Sequence, residues 1–175
     1  MDALTGGLGV NPVETITHTT GDWALRLLLV TLAVTPLRTW LGWRRQQPLR
    51  RMLGLFAFFY AALHFAAWFI LDQGLSLALM LEDVIERPYI TVGFSALVLL
   101  ILLAATSTDA MVKRLGGKRW KRLHKSVYVA GILAVLHYLW LVKADWTEPA
   151  VYGLILGLLL VARLVKPGFR REKRC

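Results

Sequence analysis

Four histidines stand in a chain of 175 residues that is 57% hydrophobic and only 18% charged. His64 and His137 lie inside long apolar stretches, where an ionisable side chain is uncommon and expensive and marks a functional site by default. Two neutral imidazoles from two helices at one depth are what a six-coordinate haem iron takes as axial ligands, one nitrogen on each face of the porphyrin. An interhelical hydrogen bond or a proton relay would use the same pair, and the residues alone leave that alternative open. His124 sits in Trp120-Lys-Arg-Leu-His-Lys-Ser, 13 residues before His137, which is about 220° around an ideal helix. The two therefore do not share a face, and His124 reads as a group near a second cofactor rather than a third ligand to the first. The matching depth on the preceding apolar helix carries Arg50 and Arg51 instead of a histidine, and their guanidinium groups suit a haem propionate or a phosphate. His18, in a polar threonine-rich segment, reads as a surface residue. Cys175 is the single cysteine, so neither an intrachain disulfide nor a thiolate cluster is available.

Side chains of this kind must be held by membrane-spanning helices. A bilayer core roughly 30 Å thick needs about 20 apolar residues in a helix, and five segments meet or approach that length: Asp22–Trp40, Met52–Leu71, Tyr89–Thr106, Ser126–Val142 and Pro149–Val165. The expectation is an all-α, polytopic bundle forming one domain over 1–175. Counting at 1.5 Å per residue, His64 lies roughly 18 Å from the start of its span and His137 roughly 9 Å from the end of its own. Because those two ends face opposite sides of the membrane, both histidines land in the same half. Gly54, Ala57, Ala61 and Ala67 near His64, and Ala130, Gly131 and Ala134 before His137, leave room for a flat macrocycle or for ordinary close helix packing.

The formal charge is +10, yet the basic residues fall between apolar runs rather than in a groove interleaved with polar loops, which argues against nucleic acid as a partner. Of 21 lysines and arginines, 18 lie in Arg38–Arg51, Lys113–Lys125 and Arg163–Arg174, and only Arg26, Arg87 and Lys143 fall on the other side. Positive residues stay cytoplasmic, so the N-terminus is expected outside and the C-terminus inside. The first apolar stretch begins near Trp23, so insertion is expected to rely on the spans and not on a cleaved leader. On the outer side, Asp83, Glu86 and Arg87 mark a candidate docking surface for a soluble partner, and Arg87-Pro88-Tyr89 reads as a helix start. The basic Gly116-Gly117 loop is suited to anionic lipid.

Several short runs together resemble the MsrQ family, the haem-binding membrane subunits of bacterial periplasmic methionine sulfoxide reductase systems, within the larger ferric-reductase-like transmembrane group. They are Leu49-Arg-Arg-Met-Leu-Gly-Leu with Leu63-His64, Arg87-Pro88-Tyr89-Ile90, Thr106-Ser107, and Leu123-His124 with Leu136-His137-Tyr138-Leu139-Trp140. The resemblance runs from about Gly7 to Val165. It implies that His64, His124 and His137 are the family's histidines and that one or two b-type haems are bound in the inner membrane. It further implies electrons drawn from the quinone pool or through a flavin such as FMN, and delivery to a periplasmic molybdopterin methionine sulfoxide reductase. The chain would then be an electron-transfer subunit rather than a complete enzyme. Family members usually carry a further helix ahead of the Gly6–Gly9 segment, a point on which this sequence departs. Two rivals remain: a transmembrane ferric or other metal reductase on the same scaffold, and a non-redox membrane anchor or transporter whose histidines only form hydrogen bonds.

Overall fold

The computed structural model describes residues 11–41, 47–142 and 145–165, which are helical with no strand among them. The Gly6–Gly9 segment, Trp43, Arg44, Arg45, Lys143, the basic tail from Lys166 and Cys175 lie outside the described residues. In chain order the helices are α1 (Pro12–Leu41), α2 (Gln47–Ala67), α3 (Leu77–Glu86), α4 (Pro88–Ala105), α5 (Asp109–Leu115), α6 (Gly117–Leu123), α7 (Val127–Leu141) and α8 (Thr147–Leu164). A π-helical turn, Trp68–Asp72, prolongs α2, and a 3₁₀ turn, His124–Ser126, leads into α7. α1, α2 with its π turn, α4 and α8 are long and apolar enough to cross a membrane. The helical membrane bundle expected from composition is therefore present. α7 has 15 residues, about 22 Å of helix, and with the 3₁₀ turn His124–Ser126 ahead of it occupies the segment expected over Ser126–Val142 up to Leu141.

Three segments differ from the sequence reading, each for a physical reason. α1 begins at Pro12 and not near Asp22, because a helix does not stop where the hydrocarbon ends. Asn11 caps it: the Glu14 amide donates to the Asn11 side chain at 3.4 Å, the Asn11 side-chain amide donates back to Glu14 at 3.3 Å, and proline occupies the first position, where a missing N–H costs nothing. The acidic connection between the second and third expected spans contains α3, whose N-cap Ser76 accepts from the Leu79 amide. The basic connection contains α5 and α6, hinged at Gly116, whose φ of +73° favours glycine. These helices are too short to show a convincing apolar period by themselves.

α1 is the central helix. Leu25, Leu28, Leu29 and Leu32 recur at helical spacing and are all buried, forming a stripe that touches several neighbours. Leu28 meets Ala57 of α2, Leu100 of α4 and Ala130 of α7, while Leu25, Leu29 and Leu32 pack with Val135 and Leu156. The small residues expected to leave room for a macrocycle thus serve close packing: Ala57 and Ala130 have no exposed surface, and Gly131 faces Leu32 and Leu156.

Pro36 lies inside α1 and has no N–H to donate to the carbonyl four residues back. That carbonyl belongs to Leu32, in the most buried part of the core. Arg163 of α8 supplies the missing donor: its Nη2 donates to the Leu32 carbonyl at 2.6 Å, and its guanidinium lies 4.5 Å from the Tyr128 ring centre. An arginine at the end of an apolar helix is thereby tied to a backbone defect in another helix, the usual way a freed carbonyl is satisfied where water is scarce. Arg163→Leu is expected to destabilise the native protein more than it destabilises a Pro36→Ala background, in which the new alanine amide can restore the intrahelical bond. Unfolding in detergent should give a coupling of about 0.5–3 kcal/mol from the double-mutant cycle, and additive effects would refute the pairing.

Candidate functional site

His64 on α2 and His137 on α7 come together across the bundle. Their ring centres are 6.2 Å apart and their planes are nearly perpendicular, at 76°. His64 Nδ1 donates to the Thr17 carbonyl of α1 at 2.8 Å, and His137 Nδ1 donates to the Tyr89 carbonyl of α4 at 2.7 Å. With Nδ1 carrying the proton in both rings, Nε2 is the nitrogen with the lone pair. A metal-ligating histidine ordinarily makes such a bond to a carbonyl, which fixes its tautomer and orientation. Two metal–nitrogen bonds of about 2 Å plus two ring radii place the centres of an axial imidazole pair roughly 6 Å apart. The pair therefore has the separation and the tautomers needed to hold one iron between two imidazoles.

Reaching those carbonyls depends on residues that the sequence reading missed. In a helix the Cβ of residue i+4 leans back toward the N-terminus and covers the outward side of carbonyl i. At both contacts that residue is glycine: Gly21 follows Thr17, and Gly93 follows Tyr89. A Cβ at Gly21 would stand 3.0 Å from His64 Nδ1, and one at Gly93 only 2.7 Å from His137 Nδ1 and 2.9 Å from its Cε1. Each imidazole thus lies on a neighbouring helix where a side chain is missing. The Tyr89 ring stacks on His137 at 6.4 Å and 27°, and Thr17 Oγ1 is buried without a hydrogen-bond partner beside His64. The sequence signal was a glycine four residues after a carbonyl on the helix opposite each histidine.

His124 is held elsewhere and differently. It stacks on Trp120 with ring centres 3.9 Å apart, its Nδ1 lies 3.2 Å from the Trp120 carbonyl, and its Nε2 is 3.5 Å from Ser107 Oγ. Burial lowers its pKa, the bond to the Trp120 carbonyl opposes that, and the charge of Arg50 adds to the lowering. Arg51 forms a 2.6 Å ion pair with Asp109 at the start of α5. His18 is exposed, with Nε2 4.0 Å from Glu14. Of the candidate docking residues, Asp83 accepts from Gln73 at 2.8 Å and pairs with Arg87 at 3.1 Å, so both ends of that ion pair help to build the α3–α4 corner. Glu86 is exposed.

Comparison with known proteins places the chain in a family. The ferric reductase like transmembrane component family matches residues 20–135. A protein-methionine-sulfoxide reductase heme-binding subunit MsrQ from Herminiimonas arsenicoxydans is 54% identical over 172 residues, covering 97% of this chain and 79% of that protein. Proteins of the same name from Rhodospirillum rubrum and Deinococcus radiodurans are 52% and 51% identical, covering 96% and 95% of this chain and 80% and 82% of their own lengths. The chain belongs to the MsrQ family. It is accordingly a multi-pass protein of the bacterial inner membrane.

The two glycines of this MsrQ chain make a sharp expectation. Replacing glycine by alanine inside an ordinary helix stabilises by roughly 0.5–1 kcal/mol. At Gly93 the sign should reverse, because the new methyl would overlap a ring pinned by its own hydrogen bond. Gly21→Ala, with its looser contact, should be milder. Thermal unfolding of both variants in detergent checks this, and a stabilised Gly93→Ala protein would show that His137 does not rest on α4 as described.

Proposed function

We propose that this chain is a b-type haem subunit that passes electrons from the quinone pool, or from a flavin such as FMN, to a periplasmic molybdopterin methionine sulfoxide reductase. The observation that carries the reading is the His64–His137 pair, two imidazoles with ring centres 6.2 Å apart, each with Nδ1 bound to a backbone carbonyl. The donor set fits a haem, and the family relatives are named heme-binding. When bound, haem supplies one-electron chemistry. His64 and His137 would hold the iron, with the Thr17 and Tyr89 carbonyls orienting the two rings and Gly21 and Gly93 giving the rings access to those carbonyls. His124 is suited to a second cofactor toward the basic side, with Arg50 and Arg51 as the candidate partners of its acidic groups.

The distribution of lysine and arginine supports an outer N-terminus and a cytoplasmic C-terminus. In that orientation the histidine pair lies toward the periplasm, the side from which a soluble reductase would take electrons. Glu82 and Glu86 are exposed on α3, and Asp145 is exposed beyond α7; these acids would steer a partner with a basic patch in a small, salt-sensitive encounter. A ferric reductase would use the same haem and differ only in its electron acceptor. A non-redox anchor would use the imidazoles only for their bonds to the Thr17 and Tyr89 carbonyls and leave both Nε2 atoms unused.

His64→Ala and His137→Ala should each remove or strongly perturb the dithionite-reduced haem band of the purified protein, while His18→Ala leaves it unchanged. Unaltered spectra in both pair variants would eliminate these ligands, and a colourless native protein would favour the anchor. For the acceptor and the orientation together, right-side-out vesicles with quinol-reduced protein should be reoxidised rapidly by added periplasmic reductase and slowly by ferric citrate. Inside-out vesicles should not respond to the reductase, and added salt should slow the right-side-out reaction. Equal rates with ferric citrate would replace the protein acceptor by a metal chelate.

A further inference from the structure

The corner between α2 and α4 has a surface that electron transfer does not explain. α3 is only 10 residues long, yet it is firmly attached. Gln73 bonds Asp83, Asp83 pairs with Arg87, Thr91 Oγ1 donates to the Val84 carbonyl, and Arg87 alone separates α3 from α4. Met80, Asp83 and Val84 are its partly buried residues. At roughly 100° per residue, these three occupy one third of the helix circumference. Leu77, Leu81 and Ile85 form an adjacent row and are 65%, 54% and 79% exposed. Glu82 and Glu86 are exposed on the remaining arc, which they share with Leu79, 51% exposed. A bundle face, a continuous apolar row and an arc that carries both exposed acids thus follow one another around a single short helix.

That order identifies what covers the apolar row. Ile70 and Leu71, in the π turn that ends the preceding span, are exposed as well, and α4, which is long and apolar enough to cross the membrane, starts one residue after α3 ends. We propose that α3 lies in the headgroup layer on the membrane side of the histidine pair, with Leu77, Leu81 and Ile85 among the acyl chains and Glu82 and Glu86 in water. An amphipathic helix of this kind buries its apolar face about 5–10 Å into the boundary between headgroups and chains. The contact serves the site, because the corner that α3 braces also presents the Tyr89 carbonyl and ring to His137. The partner is therefore the lipid surface itself, and its acidic flank leaves zwitterionic headgroups better suited than anionic ones. The inference rests on the chain's membrane-spanning character and not on the identity of its redox partner.

Single cysteines placed by Leu81→Cys, Ile85→Cys and Glu86→Cys in a Cys175→Ser background can be labelled with a fluorophore in phosphatidylcholine nanodiscs. Probes at 81 and 85 should be quenched several-fold more by brominated acyl chains than the probe at 86, and aqueous iodide should reverse the order. Retention of the reduced spectrum of the unlabelled protein identifies correctly assembled samples, and Leu77→Cys supplies another reporter on the same row. Iodide quenching at 81 and 85 equal to that at 86 overturns the proposal. Shielding that arises only when soluble reductase is added overturns it as well, and would make the row a protein-docking face.

Discussion

An imidazole inside a membrane bundle must give its N–H to an acceptor, and helical carbonyls are the acceptors at hand. Each already receives one intrahelical hydrogen bond, and its second lone pair is normally shielded by the side chain one turn onward. Gly21 and Gly93 remove that shield, and the rest of the site is arranged around the result. The Thr17 bond sets how α2 lies on α1, and the Tyr89 bond sets how α7 lies on α4. Once both contacts exist, the two rings meet at 6.2 Å. Each ring is thus placed by a helix-pair contact that one absent methyl group permits, and the packing of the two pairs on each other brings the rings together.

The opposite problem is solved at Pro36, where the carbonyl rather than the side chain needs a partner. There the surplus acceptor is the Leu32 carbonyl, and Arg163 reaches across from α8 to satisfy it. Both solutions connect α1 to another helix through a backbone oxygen, so α1 is a polar as well as an apolar hub. Its leucine stripe supplies dispersion contacts with α2, α4, α7 and α8, while its Thr17 and Leu32 carbonyls fix the register of α2 and α8. In lipid this division is expected, since apolar contact alone discriminates weakly between protein and acyl chains.

Much of this was legible in the sequence because the bilayer imposes a length and a depth. The long spans followed from apolar runs, and counting from opposite ends put His64 and His137 at one level from the sequence alone. The connections were less legible. α3, α5 and α6 have 10, 7 and 7 residues, too few to distinguish an amphipathic helix from a charged loop. The glycines were harder to see, because the small residues that stand out lie beside the histidines in sequence. Ala57 and Ala130 are buried in one cluster with Leu28 and Leu100, whereas the space that matters lies on the facing helix, at Gly21 and Gly93. Asp83 looked like a free docking charge only because its partners Gln73 and Arg87 become neighbours when α3 forms.

His124 shows why one residue type can be fixed in two ways within one chain. Its ring is held mainly from its own segment, by Trp120 stacking and by the Trp120 carbonyl four residues back. A turn of helix is enough to create those contacts, although Trp120 is itself anchored by donating to the Thr106 carbonyl at 2.8 Å. The rings of His64 and His137 are instead held by carbonyls 47 and 48 residues away in sequence. Local structure can orient His124 before the full bundle is assembled, but the geometry of the facing pair exists only after α1 meets α2 and α4 meets α7. A change in helix packing therefore acts first on the pair, because its two rings meet only through contacts between helices.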